Sequence, residues 1–257
     1  MYWLNAMKLT KTLLKTKLKA TGVHFSLSIL VFIYLSYQIV FNWYPEPYFW
    51  VDGGWQGLRL IGAVDLVLGP LITFLIFDLS KSRRAILFDL ITIVVIQFGA
   101  LFYGVYTTYY QRPVAIVLID EFVMSAIEEH YGDKLPSLNL LADYSAEKPP
   151  IIYSDLPLDA QVLAEANRIK LEDKVLEHAQ MQLYKPKSEF KSGLQSRQAQ
   201  YLTRMDERDE RHIYDDWLKQ NQKSADEVLV APFSGRYGRV WLVFDAQGKY
   251  QTYFGTQ

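Results

Sequence analysis

Two aspartates stand in otherwise apolar stretches of this 257-residue sequence, Asp65 in LIGAVDLVLGPLITFLIF and Asp89 in ILFDLITIVVIQFGALF. An acidic residue inside a membrane-spanning stretch is rare and indicates a functional role. Asp65 lies about one and a half turns from the end of its stretch on one side of the membrane, and Asp89 about one turn from the end on the other side. We therefore expect the two acids near opposite faces of a bilayer, which excludes a paired-carboxylate acid-base site.

Asp65 shares a helix face with small residues. Gly62, Gly69 and Thr73 follow the helical spacing on either side of it, and small residues on one face let membrane helices approach closely. Pro70 has no backbone N–H, so the carbonyl group of Leu66 loses its helical donor. In lipid, such a carbonyl needs another donor.

Gln97, in the third apolar stretch, is expected at a matching depth and could supply that donor. It belongs to a second helix face of small and polar residues, in the third apolar stretch. Three interpretations follow: the two faces pack helices of this chain together, they form a groove for a membrane helix of another protein, or Asp65 belongs to a proton or ion path. In the groove interpretation, the partner-helix contacts are Gly62, Asp65, Gly69, Pro70, Thr73, Gln97 and Gly104.

Asp89 follows a short basic segment that contains Arg83 and Arg84. A carboxylate near a membrane boundary is stabilised by a nearby cation. The sequence predicts a structural ion pair between Asp89 and Arg83 or Arg84 that fixes the depth of the helix.

Three apolar stretches, about residues 22–44, 60–77 and 86–108, are long enough to cross a bilayer as helices. They define a predicted membrane region, residues 22–110. Residues 1–21 precede it as a basic amphipathic segment expected on the cytoplasmic side.

The orientation follows from the lysines and arginines. Five lysines precede the first stretch, and a basic loop, 79–85, joins the second and third. The loop 45–57 carries two acids and no basic residue. Because basic loops stay in the cytoplasm, the N-terminus is expected inside and residues 111–257 outside, in the periplasm.

Residues 111–257 indicate a small α+β domain. An apolar run at 114–120 predicts a strand that 121–127 could continue, and 151–153 and 228–231 are further strand candidates. Helices are expected over 159–183 and 196–222, and a β-hairpin at the C-terminus. The predicted fold class is a membrane α-helical protein with three transmembrane helices and a small α+β periplasmic domain.

The sequence offers no catalytic signature. It contains no cysteine and four scattered histidines, without the spacing of a metal site. Phosphate-binding, dinucleotide-binding and nucleophile motifs are also missing. We therefore predict no enzyme activity, no cofactor and no metal, and the net charge of −1 indicates no nucleic-acid partner.

Three motifs in the membrane region resemble a known family: WYPEP at 43–47, GAVDLVLGPLITFLIFD at 62–78, and FDLITIVVIQFGALFYGVYTTYYQRPV at 88–114. Together they look like the type IV pilin accessory proteins, the TfpZ family, also called FimB-like fimbrial assembly proteins. The resemblance covers roughly residues 22–120.

The resemblance implies a non-enzymatic factor of the bacterial inner membrane that acts on the major type IV pilin and modulates pilus assembly, surface piliation and twitching motility. Our hypothesis is that it binds this pilin through its membrane helices and its periplasmic domain. The lipid bilayer and other pilus assembly components are the further partners it implies. Residues 121–225 would then contact the pilin head. The alternative is a membrane enzyme, or an enzyme subunit, in pilin modification such as glycosylation.

Overall fold

The computed structural model of the chain describes residues 2–78, 81–134 and 138–255. The predicted loop 79–85 and the C-terminus each include residues outside this description, 79–80 and 256–257. The chain forms two compact units, Met1–Asn42 with Trp55–Tyr109, and Trp43–Gly54 with Tyr110–Gln257. The second unit thus includes the loop 43–54, which the sequence analysis assigned to the membrane region.

Among its described residues, the first unit contains three helices that are long and apolar enough to cross a membrane, which confirms the prediction of three such helices. We call Lys11–Trp43 span one, Gly54–Ile76 span two and Arg83–Tyr110 span three. The α-helix Tyr2–Tyr37 (α1) continues without a break through the basic N-terminal segment into span one, because no proline interrupts it. Residues 2–21 of the predicted N-terminal segment are therefore part of the same helix as the first span.

Span two contains a π-helical turn, Ala63–Leu68, between the α-helices Gly54–Gly62 and Gly69–Ile76. Pro70 follows this turn and has no N–H to donate. The N–H of Gly69 donates to the carbonyl oxygen of Val64, five residues earlier. A π-bulge of this kind often marks a functional site in a helix.

The second unit contains a six-stranded mixed sheet among its described residues. The strands are β1 Ala115–Ile119, β2 Phe122–Ala126, β3 Ile151–Ser154, β4 Val228–Ser234, β5 Arg239–Asp245 and β6 Tyr250–Phe254. They lie in the order β3-β1-β2-β4-β5-β6, and neighbouring strands are antiparallel except for the parallel pairs β1–β3 and β2–β4. The α+β fold, the first strand and the C-terminal hairpin were thus predicted correctly.

Three local predictions were wrong, and the first two concern residues 121–127 and 159–183. Residues 121–127 do not continue β1, because Asp120 adopts a positive φ of 51° and reverses the chain into β2. A long helix over 159–183 does not form: it ends at Glu172, and Lys174 has a positive φ. Asp and Lys at such positions end regular structure because an L-residue with positive φ fits neither a helix nor a strand.

The remaining helices cover the two faces of the sheet. The predicted helix 196–222 is interrupted at Asp209, where φ is again positive. The helices are Leu138–Ala142, Ala160–Glu172, Phe190–Ser196, Gln198–Glu207 and Arg211–Gln220.

Alternating residues of β1 point to two different cores. Ile116 and Leu118 pack with the helices that follow Phe190, whereas Val117 and Ile119 pack on the opposite face with Tyr131 and its neighbours. Side chains alternate along a strand in this way. Every residue of β1 is buried, which explains why the sequence shows an apolar run there.

Candidate functional site

Asp65 joins the three spans. Its side chain is 3% exposed, and Oδ1 accepts hydrogen bonds from Ser28 Oγ of span one and from Gln97 Nε2 of span three, both at 3.0 Å. Gln97 Nε2 also donates to the carbonyl oxygen of Val64 at 3.3 Å. A buried carboxylate needs such donors, and Gln97 supplies one as well as supporting the π-helical turn.

Asp65 lies farther from the end of its helix than the sequence indicated. It lies midway between Gly54 and Ile76, because span two begins several residues before the predicted stretch. Its partner Gln97 follows Asp89 by eight residues, or about 12 Å along span three. Asp65 and Asp89 are therefore too far apart to share a proton.

The predicted small residues pack against other spans of this chain. A Cβ atom built on Gly69 would lie 2.6 Å from Gln97 Oε1, and one on Gly62 would lie 3.0 Å from the ring of Phe32. Gly104 approaches Ile61 within 3.5 Å by the same measure. Pro70, next to Gly69, is buried. The close approach between spans thus uses these glycines.

A second polar pair joins spans one and two. His24 Nδ1 lies 2.5 Å from Thr73 Oγ1, and Thr73 Oγ1 donates to the carbonyl oxygen of Gly69 at 3.1 Å. Because a hydroxyl group has one proton, His24 Nδ1 must be the donor in the first of these bonds. Sequence analysis did not single out His24 or Ser28, although two polar residues four apart in an apolar span place both on one helix face.

Asp65, Thr73 and Gln97 form the polar floor of a groove between spans one and three. The groove has a volume of about 660 Å³. Its rims are apolar side chains such as Leu27 of span one and Phe98 of span three, which are 59% and 67% exposed. An open apolar groove with a few buried polar groups is a candidate binding site.

Asp89 forms its ion pair with Lys81. The distance from Lys81 Nζ to Asp89 Oδ2 is 2.6 Å. The prediction had named Arg83 or Arg84. Those residues precede Asp89 on the same helix by six and five positions, which places neither on its face, whereas Lys81 precedes the helix and can fold back.

In the second unit, the buried side chain of Asp52 forms an ion pair with the partly exposed Arg236. Arg236 donates to Asp52 Oδ1 from its backbone N at 3.2 Å and from Nε at 3.3 Å, and Asp52 is 0% exposed. Burial raises the pKa of Asp52, and Arg236 opposes that shift. Arg236 also donates to the carbonyl oxygen of Gln111 at 2.8 Å, so one guanidinium binds both the loop 43–54 and the start of the domain.

The backbone closes tightly around this pair. Tyr237 N donates to the carbonyl oxygen of Val51 at 2.8 Å. A Cβ atom on Gly235 would lie 2.3 Å from that same oxygen, so only glycine fits. We call residues 51–53 and 235–238 the loop clasp. Neither the clasp nor its ion pair was predicted.

Two histidines meet on the other face of the sheet. His178 Nε2 lies 2.8 Å from His130 Nδ1, which also accepts from the backbone N of Ile127. His130 Nδ1 is thus the acceptor and His178 Nε2 the donor. Burial, and secondly the adjacent His130, lowers the pKa of His178 to about 4. Within residues 2–78, 81–134 and 138–255, no group of three or more His, Asp or Glu side chains could hold a metal ion.

Three apolar spans joined to a domain with a six-stranded mixed sheet define an α-helical membrane protein. The attached domain, which mixes helices and strands, is called the α/β domain below. The family model "Fimbrial assembly protein FimB" matches residues 12–53. The fimbrial assembly protein of Dichelobacter nodosus serogroups C1 and C2 is 39% identical over 119 residues, which cover 46% of this chain and 91% of that protein. The chain belongs to this family of fimbrial assembly proteins.

Two further relatives from Dichelobacter nodosus, the fimbrial assembly proteins of serogroups E1 and I, are also 39% identical over 119 residues. The chain spans slightly less than half the length of each, 46%. No solved structure matches the chain.

Proposed function

We propose that this protein is an accessory factor of type IV pilus assembly that holds the major pilin in the bacterial inner membrane. In this proposal, the groove between spans one and three receives the membrane helix of the pilin, and residues 121–225 contact the pilin head. The protein thereby modulates surface piliation without changing the pilin covalently. The observation that carries the proposal is the groove itself, an open apolar surface with a polar floor.

The dimensions of the groove suit a helix. On span one its lining runs from Thr16 to Val31, which corresponds to about 22 Å or four helical turns. A groove of this length receives one face of a helix, with contacts at helical spacing. Of the contact residues predicted from sequence, Asp65, Thr73 and Gln97 line it. In the proposal, Gly62, Gly69, Pro70 and Gly104 act indirectly, by packing the spans that form the groove.

The proposed orientation has the N-terminus in the cytoplasm and the α/β domain in the periplasm. The lysine-rich start of the chain supports it. The loop 43–54 belongs to the same compact unit as residues after span three. A loop and a domain separated by two spans must lie on one side of the membrane, and the acidic loop is expected outside. The domain that would contact the pilin head then lies in the same compartment as that head.

Site-specific photocrosslinking tests the proposal. Leu27 and Ile33 of span one have the same exposure, 59%, and lie about 120° apart around the helix. Leu27 lines the groove and Ile33 does not. A photoreactive phenylalanine at Leu27 should capture pilin in cells, whereas the same group at Ile33 should not. Equal capture at both positions, or none at Leu27, would contradict the proposed binding mode.

Measuring the mass of the pilin with and without this protein distinguishes a modulator of assembly from an enzyme that modifies the pilin. Deletion of this protein should change the number of surface pili and leave the mass of the pilin unchanged. A pilin whose mass shifts by one or more sugar units on deletion would instead favour a role in glycosylation.

A further inference from the structure

One oxygen of the Asp65 carboxylate is without a hydrogen-bond partner among the described residues. Oδ1 accepts from Ser28 and Gln97, whereas Oδ2 is buried and accepts from no described group. Burying a carboxylate oxygen without a donor is unfavourable. Asp65 also lines the groove, so the missing donor can come from a bound molecule.

We infer that the groove binds a membrane helix carrying one hydrogen-bond-donating side chain, O–H or N–H, at the depth of Asp65. This inference rests on the proposed function, because it states which feature of the bound helix the groove recognises. The rest of that helix face is apolar, to match rims such as Leu27 and Phe98. Recognition then depends on one polar contact at a fixed depth, which sets the register of the bound helix.

The position of Asp65 favours a helix over a lipid. Asp65 lies midway along span two, about 16 Å from either end, so a lipid headgroup at the membrane surface does not reach it. A lipid acyl chain reaches that depth but has no donor. A donor side chain on a membrane-spanning helix both reaches this depth and supplies the hydrogen bond.

The groove must open slightly to admit the donor. Oδ2 is shielded from water, so solvent does not supply the hydrogen bond. The side chains at the rim, such as Leu27 and Phe98, are more than half exposed and can change rotamer when a helix packs against them. A donor enclosed in this apolar environment forms a stronger hydrogen bond than it would in water.

Asp65→Asn replaces the unpartnered acceptor Oδ2 by an NH2 group, which is a donor. Gln97 Nε2 donates to Val64 and to residue 65, so the amide oxygen of the asparagine must face Gln97. The amide NH2 then stands where Oδ2 stood and meets the donor of the bound helix. Asp65→Glu keeps an acceptor at this position, and Asp89→Asn removes an acid outside the groove lining as the matched control.

The test measures pilin capture by a photoreactive residue at Leu27 in each background, in cells. Asp65→Asn should reduce capture about tenfold, as expected for losing a hydrogen bond to a charged group. Asp65→Glu should lose less than Asp65→Asn, because it keeps an acceptor, and Asp89→Asn should retain capture.

The other outcomes distinguish failure of the inference from failure of the proposed function. Absence of capture in the unsubstituted protein would refute the proposed function itself. Full capture in Asp65→Asn, or equal losses in Asp65→Asn and Asp65→Glu, would overturn the inference and leave the proposed function standing. Capture of a second copy of this chain in place of pilin would overturn both.

Discussion

Arg236 and Asp52 form an ion pair across 184 residues of sequence, and Asp52 is completely buried in it. The pair binds the loop between spans one and two into the α/β domain that follows span three. The ring of Tyr48 in the same loop lies 5.1 Å, between centroids, from the ring of Phe233 in the domain core. The loop is therefore a structural part of the domain.

Asp52→Ala should destabilise the α/β domain by about 3 kcal/mol, because it removes the buried acceptor of two hydrogen bonds from Arg236. Thermal unfolding of the purified protein in detergent should show a melting temperature lowered by roughly 6–12 °C. Arg239→Ala, an exposed site on the same hairpin, is the control and should change little. A melting temperature unchanged by Asp52→Ala would mean that the loop contributes nothing to domain stability.

The loop and the domain should be accessible from the same side of the membrane. The chain has no cysteine, so single cysteines can be introduced without background. Glu46→Cys in the loop and Lys223→Cys in the domain are both exposed positions. Both should react with a membrane-impermeant maleimide in cells with a permeabilised outer membrane, and Lys11→Cys should react only after lysis. Protection of Lys223→Cys would contradict the periplasmic assignment.

The histidine pair should make stability depend on pH. The pKa of His178 is lowered to about 4 in the folded protein, against an ordinary value of about 6.5. A histidine with a lowered folded pKa contributes its full stability above the unfolded pKa. That contribution is lost as the pH falls from about 6.5 toward about 4, because the unfolded chain binds the proton first.

We expect a loss of about 2 kcal/mol between about pH 7.5 and about pH 5 from His178 alone. His178→Gln removes the titrating group and should flatten the curve of melting temperature against pH over this range. Carboxylates titrate in both proteins, so the difference between the two curves isolates the histidine. Parallel curves would show that His178 does not carry this dependence.

The membrane unit was largely predictable because its determinants are local. Length and hydropathy identify three spans, and the exclusion of charge from lipid marks Asp65 as a residue that needs partners. Gln97 was predicted to donate to the carbonyl group of Leu66, but it donates to that of Val64 and to Asp65, because the π-helical turn shifts the backbone hydrogen bonds. Ser28 was missed because a serine in an apolar helix is common and its role depends on which face meets Asp65.

The α/β domain was predictable only in part, because several of its determinants are not visible in the local sequence. Strands such as β1 are visible as apolar runs, but the ends of helices depend on single residues such as Lys174 and Asp209 that adopt a positive φ. No sequence pattern specifies that φ for these residue types. The pairing of Asp52 with Arg236 follows from the tertiary fold, so sequence spacing contains no signal for it.

Gly69→Ala should disturb the polar floor of the groove without altering its charge. The added methyl group would lie 2.6 Å from Gln97 Oε1, and the side chain of Gln97 is held by Asp65 and Val64, so it cannot move without breaking those hydrogen bonds. We expect a loss of about 1–3 kcal/mol in the stability of the three-span unit, as is typical of overpacking. Pilin capture from Leu27 should also fall, because Asp65 loses the donor that positions it. Gly99→Ala in span three is the matched control, since a Cβ atom there meets no atom within 4 Å. If both alanine variants melt and capture pilin alike, the close approach of Gly69 to Gln97 does not maintain the floor, and the groove must be held by Ser28 and the other contacts of Asp65.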